Sequence, residues 1–451
     1  MLKPGRLLEL GQRAVAEALR AGAEEAEAFL VSSRSAEILL AGKIEFLRIS
    51  SDTGLGIRAV LDKKIGMAST SRLEPKAVAE AAMRAVKIAR VSKKDEKWHS
   101  LPEKYGKTRV KGLFDEETAS LDPDVLMGLA EDLIKAVREV DPRVRASRGM
   151  LRAGASLVAI CNSYGQEAFR RGTAAYVWIR ASIEEAGRIS TANEFACSRA
   201  IGDIDAASLG SRAARRALDF LKAGWLEAGE IDVVFRGQVV GSIISTMFGR
   251  TLTADSVQEG RSPWAGRLGQ EVASEAFTLV DDGTLPGGYR SRELDDEGLP
   301  TQRTALIERG VLRAFLYDDY RAKREGARST GNARRPGYGA PPSPSPNCLI
   351  LAPGDWRFEE LIADTRRGLY VVETIGEWLS DPVRGFLNAN VTHGYLIKDG
   401  ELTKPVSGVM MSCRFFEAMK GLMDAFCREL EESGGYYAPA VRIKGVSVSG
   451  K

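Results

Sequence analysis

The sequence predicts an α+β protein in two parts. An N-terminal helix–antiparallel sheet–helix domain covers residues 1–222, and a β-rich C-terminal domain covers 223–451. Three observations carry this reading. Helical periodicity at residues 5–21 gives way to strand-like alternation from Glu27 to Ser71. A proline-opened helix follows at Pro75. Beyond about residue 225 the texture turns to short strands, Gly-rich turns such as DDGTLPGGYRS and a proline-dense loop at 333–347.

In the first helix Leu8, Val15 and Leu19 share a stripe, and Gly22 is placed to end it. The runs EAFLVS, AEILLAGKIEFLRIS and GIRAVLDKKIGMASTS read as strands, with hairpin turns at Ala41-Gly-Lys and Asp62-Lys-Lys. In the second helix Val78, Ala82, Ala85 and Ala89 are predicted to face inward. Residues 93–121 are charged and irregular and read as a connector. A helix is expected at 122–139, then strands around RVRASRGML, ASLVAICNS and AAYVWIRASIEE. A helix at 204–222 leads to the apolar strand Ile231-Asp-Val-Val-Phe, and the domain boundary is placed near 222–228. No fixed-period repeat is visible, which disfavours solenoids and propellers.

With 451 residues, 44% hydrophobic and 28% charged, the chain can build sizeable cores and is not globally disordered. A formal charge of +3 lacks the strongly basic balance usual for nucleic-acid binding, so no nucleic-acid partner is expected. No eighteen apolar residues run uninterrupted and no signal-peptide pattern opens the chain, so a cytoplasmic location without a membrane span is expected. The five scattered cysteines, none in a CxxC pair, read as reduced thiols.

Chemistry is limited by what is missing. There are two histidines, His99 and His393, too far apart in sequence and outside any HExxH context for the usual local zinc pair. No GxSxG nucleophile elbow occurs. Gly445-Val-Ser-Val-Ser-Gly450-Lys451 matches GxxxxGK by letter but lacks the following Ser/Thr and helix, and Gly54-Leu-Gly56 is only half of a dinucleotide fingerprint inside a hairpin. In the proline-rich loop Arg334, Arg335 and Tyr338 combine cations with a ring and are the candidate substrate-binding residues, able to hold a carboxylate.

AGRLGQEVASEAFTLVDDGT (265–284), DDEGLPTQRTALIERGVLRAFLYD (295–318) and STGNARRPGY (329–338) resemble the TldD/PmbA, or modulator-of-gyrase, family of metalloproteases. GLGIRAV (54–60) and PAVRIKGVSVSG (439–450) resemble the family's N-terminal domain and last strands. Catalytic TldD-type members carry HExxxH. Laid on this chain, that motif falls on Ser245, Thr246 and Arg250, so the resemblance implies that both histidine ligands and the general base are absent. The family's cysteine ligand maps near Ala425, two positions from Cys427, which reads as core. The resemblance is therefore to the PmbA/TldE branch. It implies a subunit with no metal or catalytic residue of its own, paired with a TldD-type chain that brings zinc, the pair enclosing a chamber that cleaves unfolded or small peptides. The alternative is a homodimeric peptide-binding or regulatory protein without protease activity. Direct action on gyrase or DNA is suggested only by the family's older name.

Overall fold

A computed structural model describes residues 1–120 and 122–450. Position 121, at the end of the expected connector, and Lys451, the last letter of the GxxxxGK lookalike, lie outside the described residues. The architecture is α+β, a helix-covered sheet followed by a β-rich unit closed in part into a barrel.

The first half of the sheet unit runs α1 (Pro4–Arg20), β1 (Glu25–Leu40), β2 (Ile44–Leu61), β3 (Lys64–Thr70) and α2 (Pro75–Val91). After α3 (Glu116–Ser120), the second half runs α4 (Pro123–Val140), β4 (Arg145–Asn162), β5 (Glu167–Glu185), β6 (Arg188–Ser198) and α5 (Ala206–Asp219). The six strands lie in the order β3-β2-β1-β4-β5-β6, symmetric about the antiparallel β1–β4 pair, so two helix–three-strand–helix halves meet at the centre. No sequence period announces this duplication, because packing constrains residue type only on alternate strand positions. Helices α1, α2 and α4 begin with Pro at their first turn, where the missing N–H has no intrahelical partner to lose.

Details depart from the sequence reading. The buried stripe of α1 is Leu7, Leu10, Ala14, Val15 and Ala18, while Leu19 is 39% exposed. The stripe is rotated because small residues such as Ala14 and Ala18 let the helix lie close to α2 and the sheet. RVRASRGML and ASLVAICNS form the single strand β4, in which Gly154 is accommodated between Arg34 and Ser35 of β1 instead of breaking it. The strand β6 had no separate signal. The expected connector is not a free linker. Trp98 and Leu101 are buried, the Trp98 ring stacks on Tyr320 at 5.9 Å, and Thr108 binds the Glu293 and Thr301 carbonyls at 2.8 and 2.7 Å. It straps the two units together.

The C-terminal unit opens with β7 (Gly229–Phe235), α6 (Gly237–Phe248) and α7 (Ala254–Gln258). Short elements follow: β8 (Leu279–Asp282), β9 (Arg303–Glu308), β10 (Val311–Leu312), α8 (Asp319–Lys323), β11 (Ala333–Arg334), β12 (Ser343–Pro344), β13 (Leu349–Leu351) and α9 (Phe358–Asp364). The chain ends in long strands β14 (Arg367–Ile375), β15 (Phe386–Lys398), β16 (Glu401–Val406), β17 (Val409–Arg414), β18 (Met423–Ser433) and β19 (Tyr436–Ser449), with α10 (Phe415–Ala418) after β17. The ladder β19-β17-β15-β14-β7 closes because β7 pairs β19 as well as β14. Closure leaves these strands no free edge. Phe235, Ile243, Met247, Phe248, Trp264 and Phe277 lie in the core of this unit. No helix among the described residues is long and apolar enough to cross a membrane.

Helices cover one face of the six-stranded sheet, and the C-terminal unit covers part of the other. Phe29, Val158 and Ile160 of the sheet pack with Leu294 and Tyr338. The approach is close enough to require glycine. A Cβ at Gly54 would meet the Tyr338 ring at 2.2 Å, and one at Gly56 would meet the Tyr338 carbonyl oxygen at 1.6 Å. The GLG run is thus a landing strip for a backbone, not a phosphate loop. The substitution Gly56→Ala is expected to force the seam apart at a cost of about 3 kcal/mol, in the upper range for overpacking. Denaturant melts and limited proteolysis of the 333–347 loop will show it as a lowered midpoint and faster cleavage.

Candidate functional site

The helix α6 is the segment onto which the catalytic motif falls. Its apolar face (Val239, Val240, Ile243, Ile244, Met247, Phe248) is buried. Gly237 and Gly241 let its first turns touch the β18–β19 hairpin, where a Cβ would meet the Ala438 carbonyl oxygen at 2.5 Å and the Ser433 Cβ at 2.8 Å. At the other end Ser245 and Thr246 are half-buried. The Thr246 hydroxyl donates to the Ser242 carbonyl at 3.0 Å, and the Ser245 carbonyl accepts the Gly249 N–H at 2.9 Å. Arg250, just past the helix end, is exposed and its Nη2 donates to Asp255 Oδ2 at 2.9 Å. A cation there suits the negative end of the helix dipole.

This donor set does not fit zinc. A serine hydroxyl, a threonine hydroxyl bonded to its own helix and a guanidinium without an acceptor lone pair stand where imidazoles and a carboxylate would be needed. Among the described residues no three His, Cys, Asp or Glu side chains converge as a metal centre would require. Cys427 is buried among Val234, Leu361, Ile362, Ile397 and Ala425, and burial pushes its thiol up to about 11. His393, buried, pairs through Nδ1 with Glu373 Oε2 at 3.1 Å and sits edge-on to Phe220 at 4.5 Å. Against the effect of burial, the His393 ring and the Asn193 amide hold the Glu373 carboxyl below its ordinary range. His99 is exposed.

The three residues singled out for substrate do not form one site. Arg335 is buried and fully engaged. It pairs with Glu27, donates from Nε to the Asp296 carbonyl at 3.2 Å and from Nη1 to the Ala340 carbonyl at 3.2 Å, and lies over the Phe29 ring. Tyr338 is spent on the Gly54 contact. As substrate groups both are corrected by the fold, because the Arg335 guanidinium and the Tyr338 ring are used in holding the proline-rich loop to the sheet. Arg334, on β11 and without a carboxylate partner among the described residues, lines a cavity that Arg335 also borders.

What the sequence reading missed is the charge network beneath that loop. Glu27 of β1 bridges Arg335 and Arg58, whose Nη2 reaches Glu27 at 2.9 Å and Glu297 at 3.1 Å. All four side chains are at most 5% exposed. Alternating signs in a buried chain offset the desolvation of each charge only while every partner stays in place. Next to it, burial pushes the Asp295 carboxyl up to about 7, although it accepts the Glu297 and Leu299 N–H groups at 2.9 and 3.0 Å. The signals were present but slight: a glutamate at 27 beside an apolar run, and the consecutive acids of DDEG.

The two units and their seam reproduce a known arrangement. Family models for the PmbA/TldA metallopeptidase match domain 1 at residues 26–89, the central domain at 116–221 and the C-terminal domain at 228–450. The chain belongs to the TldD/PmbA family. Its fold is similar to the crystal structure of TldE from Thermococcus kodakarensis, with a TM-score of 0.90 and 25% identity, covering 98% of this chain and 100% of that one. An uncharacterised protein of Methanocaldococcus jannaschii is 30% identical over 93% of this chain and 95% of its own length. Metalloprotease PmbA of Escherichia coli O157:H7 is 24% identical over 90% of this chain and 88% of its own. Membership ties the chain to a peptidase-related family, in which this member carries Ser245 and Thr246 on α6 and Arg250 just past its end.

Two outcomes check this site. Glu27→Gln removes the charge that serves two buried arginines and is expected to cost about 3–5 kcal/mol in urea unfolding. Native protein at pH 8 should leave Cys427 unlabelled by a thiol reagent, since its thiolate is scarce and the sulfur is shielded. Peptide mass spectrometry should find the label only after unfolding.

Proposed function

We propose that this chain is the non-catalytic, PmbA/TldE-type subunit of a zinc metalloprotease, shaping the chamber that receives unfolded or small peptides while a TldD-type partner supplies the metal. The observation that carries this reading is the end of α6, where Arg250 is ion-paired to Asp255 and, among the described residues, no group of three zinc donors converges. In such an assembly the hydrolytic chemistry belongs to the partner. This chain contributes walls and orientation, and needs no group of altered reactivity.

An exposed apolar rim at one end of the barrel suits subunit contact. Ile375 is 50% exposed, Trp378 69% and Leu379 73%, and Met410 lies in register with Ile375 across Asn390. Large apolar side chains grouped this way on a surface mark interaction sites. A partner covering them would remove from water a rim that folding leaves uncovered.

Metal analysis of the isolated chain is expected to find no stoichiometric zinc, and a casein digest no cleavage. Mixing with a TldD-type chain carrying HExxxH is expected to give a heterodimer and cleavage of the casein. Zinc and hydrolysis in the isolated chain would overturn the reading. A self-associated form with no cleavage in any mixture would support the homodimeric binding protein instead. Within the heterodimer, the double change Trp378→Glu and Leu379→Glu should weaken association at least tenfold without changing the melting temperature of the free subunit, both being solvent-exposed there.

A further inference from the structure

We propose that an arginine-lined cavity at the seam between the two units binds a phosphate dianion, free or carried as a phosphomonoester. The cavity has a volume of about 380 Å³ and shares no residue with α6. Arg170 of β5, Arg199 just past β6, Arg290, Arg292 and Arg334 line it, with Asp296 as the inner acid; the two other arginines of the lining, Arg171 and Arg335, are paired with Glu116 and Glu27. Glu293, the other acid of the lining, faces Lys107 at 3.6 Å.

The charges do not balance. Asp296 Oδ1 accepts from Arg170 Nη2 at 2.6 Å and Arg292 Nη1 at 3.3 Å, and its Oδ2 takes the Arg335 backbone N–H at 2.6 Å. That carboxylate already holds three donors. Arg199 donates only to the carbonyls of Gly288, Thr173 and Ser291, and Arg290 only to those of Asn347 and Pro346. Among the described residues Arg199, Arg290 and Arg334 have no carboxylate partner. Five guanidinium groups therefore face one carboxylate. The positive charge of Arg292, together with burial, opposes the cation of Arg334, yet a guanidinium does not release its proton in a protein.

Three buried donors are also left over: Arg170 Nη1, Arg292 Nη2 and Arg334 Nε have no acceptor. Unmet charge and unmet donors at one place describe the complement of a small oxyanion. A peptide carboxylate brings one charge and two oxygens. A phosphate dianion brings about two charges and three outward oxygens, one for each idle donor. Small residues keep the cavity open: Ser156, Gly172 and Ala174 form the floor on β4 and β5. The same three residues line the neighbouring cavity that leads to Arg34 and Arg152, which leaves room for the remainder of a phosphomonoester.

The test is thermal unfolding of the full chain at constant ionic strength, with chloride replaced stepwise by inorganic phosphate, phosphoserine or succinate. Phosphate is expected to raise the melting temperature by about 3 °C in a saturating manner. Phosphoserine should match it if monoesters enter, and a response to phosphate alone assigns the site to the free ion. No response to either, or an equal response to succinate, would overturn the proposal. Arg334→Met should melt higher than wild type in chloride, because it removes an uncompensated charge, and should lose the phosphate response. Should that variant fail to fold, Ala174→Glu places a carboxylate on the cavity floor and is expected to act in the same two ways. A phosphate response that survives in a folded form of either variant would equally overturn the site.

Discussion

The structure depends on how one face of a six-stranded sheet is covered. Helices α1, α2, α4 and α5 take the other face with ordinary alanine- and leucine-rich packing. Part of the second face is covered by loops of the C-terminal unit, held through a chain of buried opposite charges, Arg335–Glu27–Arg58–Glu297. Such a seam is selective. An apolar surface tolerates sliding, whereas a buried guanidinium left without its carboxylate is severely destabilising, so only one register of the two units satisfies all four groups. Tyr338 over Gly54 and Gly56 enforces the same register by shape.

That register determines what surrounds the seam. It brings arginines from β5, from the segment after β6, from the loop between β8 and β9 and from β11 into one cavity with too few acids. It also leaves α6 embedded in the barrel unit, with its C-terminal end near the surface and Arg250 held by Asp255. This ion pair keeps the helix end electrostatically satisfied.

Much of the fold was legible along the chain. Helical periodicity marks α1, proline at the first turn marks α2, and alternation with short turns marks β1, β2 and β3. The failures share a cause. Strand β4 was read as two runs because Gly154 looks like punctuation, yet a glycine flanked by paired strands simply fits close to its neighbours. Residues 93–121 look solvated by composition, but Trp98, Leu101 and Thr108 find partners more than 190 residues further along. Helix α6 carries glycines at 237 and 241 and β-branched residues that discourage a helical reading, and only its close contact with β18 and β19 gives those glycines a purpose.

The sequence by itself determined the α+β class, the family and the absence of histidines at Ser245 and Arg250, since these rest on residue identity and local order. Only the tertiary structure decided that Arg335 and Tyr338 are fastened into the seam while Arg334 stands unpaired beside Arg292. Adjacent arginines are indistinguishable in a sequence. Their roles separate when one side chain meets Glu27, 308 positions away, and the other meets further positive charge. Charge compensation is a property of the assembled interior, where water no longer screens each group.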